Sequence, residues 1–169
     1  MRNRDEQSRV RAFRKGFRWD RIERSSYKEE GAAPFKAISR QLLFAAPDLG
    51  CELRYFEIGA GGFSTLERHE HSHAVMILRG RGRCLIGSEV REVGAYDLVT
   101  IPAWTWHQFR AMPGEAFGFL CMVNAERDRP ELPCDEDLRR LKSNPQIAAF
   151  LAESSDQRPE QAGAVPEVS

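Results

Sequence analysis

The stretch that decides the fold is residues 61–80, GGFSTLERHEHSHAVMILRG. The chain holds four histidines; three fall here, at His69, His71 and His73, and the fourth is His107, beside an apolar run. Side chains alternate along an extended strand, so a strand over residues 67–73 would put Glu67, His69, His71 and His73 on one face. Burying three unpaired imidazoles with a carboxylate is costly, and a divalent cation is the simplest way to satisfy them. A solvated hairpin edge carrying incidental histidines is the alternative that the spacing leaves open.

Outward from this stretch the punctuation is that of a β domain. Short apolar or alternating runs at residues 41–45, 51–58, 74–78, 82–86, 97–101 and 117–123 are separated by Gly, Pro or Asp turns, which predicts strands closing into a sandwich or barrel. After Pro133 the period changes. Asp135 is placed to cap a helix through Leu141, and Asn144-Pro145 is placed to start a second through Leu151. Residues 1–30 form a basic arm, expected to be solvated or packed on a partner subunit and given no chemistry, and residues 153–169 read as a flexible tail. The barrel then spans residues 31–133 and the helices residues 134–152.

Composition narrows the function classes. With 169 residues and 41% hydrophobic side chains the chain can bury one core, and no disulfide scaffold is needed. Twenty-five Lys and Arg balance 25 Asp and Glu, which argues against a nucleic-acid coat or a membrane-surface binder. There is no apolar stretch of transmembrane length and no secretory pattern, so the expected location is cytoplasmic. Cys51, Cys84, Cys121 and Cys134 show no metal-knuckle spacing and are expected to be reduced. No phosphate-cradling loop and no Ser-His-Asp order is present.

The spacing resembles that of the cupins, small β-barrels of the jelly-roll type. Their first motif fits Gly61, five residues, Glu67-Arg68-His69, three residues, His73, six residues and Gly80, with Glu67 in the usual first His place and His73 in the usual Glu place. The second motif falls on Tyr96, Pro102, Trp104, His107 and Ala111, where only Pro102 and His107 match by type. Tyr96 and Trp104 stand where the family has glycine, which predicts a bulkier turn before His107 and a narrowed cavity mouth. The resemblance covers about residues 40–124. It implies an all-β single barrel with an N-terminal extension and short C-terminal helices, and a metal set of Glu67, His69, His73 and His107. His71 falls in the spacer, as a proton donor to substrate or a solvent-facing group. Three imidazoles and a carboxylate leave open positions on an octahedral ion, favouring Mn, with Fe, Ni and Co as alternatives, over a closed zinc site.

Wording across Arg54-Tyr55-Phe56-Glu57, residues 67–73, residues 104–110, Phe119-Leu120-Cys121 and residues 127–130 is similar to a bacterial cupin subgroup of manganese-dependent methylsulfurylases. That likeness implies carbon–sulfur cleavage of 1-methylthioxylulose 5-phosphate through a metal-held enolate, with Cys121 as nucleophile and an external thiol as reductant. Cys121 as a small core hydrophobe is the other reading of its apolar run. Arg40, Arg54 and Arg83 are candidates to clamp a phosphate or carboxylate, and Tyr55, Trp106 and Phe109 to contact substrate, as walls of the pocket or core. The expected partners are a small-molecule substrate, the thiol and a second copy of the chain, with no nucleic acid and no membrane. A metal dioxygenase or sugar isomerase, and a non-enzymatic ligand-binding cupin, are the competing function classes.

Overall fold

The computed structural model describes residues 10–28, 33–46 and 48–153. A small hairpin pairs β1 (Phe13–Arg14) with β2 (Arg18–Trp19), and β3 (Ser25–Ser26) pairs with β4 (Lys36–Ala46). Then come β5 (Cys51–Phe63), β6 (His73–Arg79), β7 (Gly82–Ile86), β8 (Glu89–Val93), β9 (Leu98–Ile101), β10 (His107–Ala111) and β11 (Phe117–Asn124). The described pairs are antiparallel, and strands 8-7-10-5-11-6-9 run in that order through one curled sheet, with β4 added on β5. The six expected runs are all strands. The sequences of β8 (EVREV) and β10 (HQFRA) are too polar to stand out as apolar runs.

Period-two alternation sorts the side chains. Ile58, Val75, Ile77, Ile101, Phe109, Phe117 and Phe119 fill one interior cluster. Along the same inward rows lie Arg54 on β5, His73 on β6, His107 on β10 and Cys121 on β11, so each of these strands carries apolar residues through the core and one chemical group into a cavity. On the opposite face of β7, Leu85 packs with Ile147, Phe150 and Leu151 of the C-terminal helices, together with Leu66, Val90 and Trp106.

Those helices are α1 (Asp135–Lys142) and α2 (Pro145–Ala152). Asn144 caps α2 as expected, its side chain accepting the Gln146 N–H at 2.9 Å. The cap of α1 is Cys134 rather than Asp135, because the Asp137 carboxylate reaches back to accept the Cys134 N–H at 3.0 Å. Residues 154–169, most of the expected tail, and residues 1–9 and 29–32 of the arm and barrel start lie outside the described residues.

The described part of the arm folds onto its own barrel. Phe17 stacks on Tyr55 with ring centres 5.7 Å apart, and Trp19 meets the same ring edge-on at 5.2 Å. Tyr55 is thereby buried on the outer face of β5, and its hydroxyl donates to Glu57 at 2.9 Å. The corrected picture is a packed segment, held by aromatic contacts instead of being left to solvent. Gly118, paired with Glu57 on β5, lies beneath the end of the Tyr55 ring and is required there: a Cβ would lie 2.0 Å from the Tyr55 hydroxyl oxygen.

Gly118→Ala is expected to destabilise the protein by about 2 kcal/mol in urea denaturation, and adding Tyr55→Phe should recover part of the loss. An unchanged midpoint in the single variant would show that Tyr55 moves freely.

Candidate metal centre

The four positions at which the cupin motifs place glycine all have positive φ: Gly61 (64°), Gly80 (67°), Tyr96 (76°) and Trp104 (58°). The last two adopt the left-handed backbone despite their large side chains, a strain normally cheap only for glycine. Tyr96 and Trp104 nevertheless leave the cavity mouth open. They are 80% and 50% exposed, and neither lines the cavity. The Trp104 N–H donates to the His69 carbonyl at 2.7 Å, so the strained turn ties the two motifs together.

Residues 67–73 do not form one strand. Glu67 pairs only as an isolated bridge with His107, residues 69–72 turn, and β6 begins at His73. The turn still delivers the ligands: one nitrogen from each of His69, His73 and His107 lies within 4.8 Å of the others. Each ring is held by its Nδ1 side. His69 donates to the His71 carbonyl at 2.7 Å, His107 to the Thr105 carbonyl at 2.9 Å, and His73 Nδ1 lies 3.2 Å from the Cys121 sulfur. In His69 and His107 this leaves the Nε2 lone pair free for a metal, and in His73 Nε2 is buried with no hydrogen-bond partner. Burial holds the imidazoles neutral, His107 down to about 4 and His73 down to about 2, with the neighbouring histidines adding to the effect. Neutral, converging, unpartnered nitrogens suit a divalent cation.

Glu67 sits in the same cavity, its backbone exchanging hydrogen bonds with His107, but its carboxylate is paired with Lys28 from the N-terminal segment. Burial raises its acid and the Lys28 ammonium opposes that rise. His71 lies against His69 with ring centres 3.7 Å apart, outside the three-nitrogen group, and donates Nδ1–H to Asp128 at 2.6 Å. Desolvation of Asp128 is outweighed by the Glu70 N–H and His71, which hold its acid down to about 2. Cys121 is 5% exposed and lines the cavity; burial pushes its thiol up to about 11 against the pull of Arg54 and Arg127.

The enclosing cavity is about 240 Å³. Of the remaining candidates Arg40, Arg54 and Phe109 line it. Tyr55 and Trp106 do not, because Tyr55 faces the N-terminal hairpin and Trp106 packs with the helices, where Arg68 stacks 4.5 Å from its ring centre. Arg83 pairs with Glu153 away from the cavity. Tyr27 and Lys28 also line the cavity without having been expected there, as do Arg127 and Asp128, which entered the resemblance but were given no role. They lie in the arm and in the loop after β11, where charged residues in a polar run give no periodic signal, and only folding brings them to the histidines.

Residues 54–123 match the Cupin domain family. The chain is 57% identical over 141 residues, 83% of its length and 90% of the relative's, to a protein of Rhodospirillum rubrum named 1-methylthio-D-xylulose 5-phosphate methylsulfurylase. It is also similar to two solved structures, each at 55% identity. One is a cupin 2 conserved barrel domain protein from Rhodopseudomonas palustris (TM-score 0.80, 84% of this chain, 98% of that one). The other is a cupin-2 domain from Rhodospirillum rubrum (TM-score 0.78, 86% and 98%). Among the described residues no helix is long and apolar enough to cross a membrane.

The buried neutral histidines give the metal-free protein a pH signature. Unfolded histidines take up protons near 6.5, whereas folded His107 resists to about 4 and His73 to about 2, so the unfolded state binds more protons and stability is lost as the pH is lowered. The denaturation midpoint should drop between pH 7 and pH 5, and His107→Gln should flatten that slope. A slope identical in the variant would place the proton uptake elsewhere.

Proposed function

The chain belongs to the cupin family, and on that premise we propose that it is a metal-dependent enzyme that removes the methylthio group from 1-methylthioxylulose 5-phosphate. The products are deoxyxylulose 5-phosphate and methanethiol, with an external thiol as reductant. The observation that carries this reading is the 3.2 Å contact between the Cys121 sulfur and Nδ1 of His73, a thiol placed against a member of the ligand group inside the cavity. The relative named as a methylsulfurylase supports the same chemistry.

His69, His73 and His107 would hold the ion, with Glu67 as the fourth candidate ligand once released from Lys28. Manganese is the metal proposed, and when bound it would supply Lewis-acid polarisation of the ketose oxygens. Cys121 loses its proton and attacks the methylthio sulfur; a sulfur–sulfur bond forms as the carbon–sulfur bond breaks, and the electron pair stays on carbon. The proton that leaves Cys121 is taken up at Nε2 of His71, whose Nδ1–H is held by Asp128, and the imidazolium so formed returns it to that carbon. Arg54 and Arg127 favour the thiolate by their charge.

The methyl disulfide on Cys121 must then be reduced. Among the described residues Cys121 is the one cysteine lining the cavity, so the proposed electrons come from an external dithiol, which releases methanethiol and restores the thiol. In this reading the protein acts on a small soluble substrate in the cytoplasm.

Methanethiol release from 1-methylthioxylulose 5-phosphate by Mn-loaded protein with a dithiol should fall about a thousandfold or more in both Cys121→Ser and His107→Ala. Turnover surviving in Cys121→Ser would point instead to proton or oxygen chemistry, as in an isomerase or dioxygenase. Ligand binding without turnover in wild-type protein would make this a binding cupin.

A further inference from the structure

Arg40 on β4, Arg54 on β5 and Arg127 after β11 line the metal cavity, and the same three line an adjoining pocket of about 490 Å³. The wall between the two spaces is therefore made of guanidinium groups. Their counter-charge is sparse. Glu52 serves both Arg54, at 3.3 Å, and Arg127, at 2.9 Å, while Arg40 has no carboxylate partner among the described residues. The Arg54 Nε is close to Glu52 but not aligned with it, and is buried without a hydrogen-bond partner. The other carboxylates lining the cavity are committed, Glu67 to Lys28 and Asp128 to His71. The unneutralised positive charge of the cavity thus sits on this wall.

We infer that Arg40, Arg54 and Arg127 form a subsite for a phosphate monoester, which orients a sugar phosphate with its phosphate on the arginines and its other end at Cys121 and the histidines. The inference rests on the functional reading above and extends it from the reacting end to the substrate's anionic end. Guanidinium forks match phosphate oxygens two at a time, and a dianion relieves the repulsion among three like charges. Burial and the neighbouring Arg127 and Arg40 lower the Arg54 pKa, which is the electrostatic cost a bound anion would offset. Arg54 and Cys121 are direct partners in the β5–β11 register, and paired side chains start about 5 Å apart, so one short sugar can span from one group to the other. Glu52 then positions rather than opposes: it holds two of the three arginines without cancelling their charge.

The test is calorimetric titration of Mn-loaded full-length protein with xylulose 5-phosphate and with xylulose. Wild-type protein should bind the phosphate ester at least about tenfold more tightly, and Arg40→Gln and Arg127→Gln should each reduce that preference by about tenfold while leaving xylulose unchanged. Arg54 is left intact because its side chain is only 11% exposed and its loss would disturb folding. Cys121→Ser should keep the full preference. The subsite is overturned if wild-type protein shows no preference, if neither arginine variant alters it, or if both ligands weaken equally. Because the readout is binding, an arginine-dependent preference in a protein that releases no methanethiol would remove the proposed reaction and keep the subsite.

Discussion

The site depends on how three imidazoles are kept neutral and aimed inside a barrel. Burial strips water from His73 and His107 and disfavours their charged forms, and a partner on the Nδ1 side of each of the three rings sets its orientation. Two of those partners are backbone carbonyls in the turns that carry the histidines, so turn geometry and ligand geometry are one constraint. This is why the left-handed backbone at Trp104 is tolerated. Its N–H fastens the second motif to the His69 carbonyl, and its indole is directed away from the cavity.

The third Nδ1 partner is a thiol instead of a carbonyl. A ring with Nδ1 at the Cys121 sulfur and Nε2 unpartnered joins the three-histidine group to the cavity thiol through one imidazole. The resting thiol is protonated because it is buried, and the positive charges that would favour its ionised form lie on the Arg54 and Arg127 side. The two carboxylates lining the cavity are paired, Glu67 with Lys28 and Asp128 with His71, while Arg40, Arg54 and Arg127 line both this cavity and the adjoining pocket.

The N-terminal segment illustrates what composition conceals. Its basic content suggests a solvated arm, yet Phe17 and Trp19 cover Tyr55, Tyr27 packs on Phe56, and Lys28 enters the cavity. The scattered aromatics were the available signal, but with no period they do not say what they cover. Tyr55 and Trp106 fail as substrate contacts for a related reason. Tyr55 is buried on the outward row of β5 and Trp106 is half-buried just before β10, and elements from the two ends of the chain pack on them.

The sequence by itself determined the strand rhythm, the two C-terminal helices with the Asn144 cap, the cupin spacing and the histidines that converge, because alternation, turn residues and motif spacing are local properties of the chain. The cupin resemblance also pointed to Cys121, and the place of Arg54 in a strand run made it one of three candidate arginines, of which Arg40 and Arg54 line the cavity and Arg83 does not. Only the tertiary structure decided that Glu67 meets Lys28, that His71 meets Asp128, and that Arg40 and Arg127 join Arg54. Those pairs lie 39, 57 and more residues apart or on different strands, and their meeting follows from how the sheet curls and the ends fold back, which no local pattern encodes.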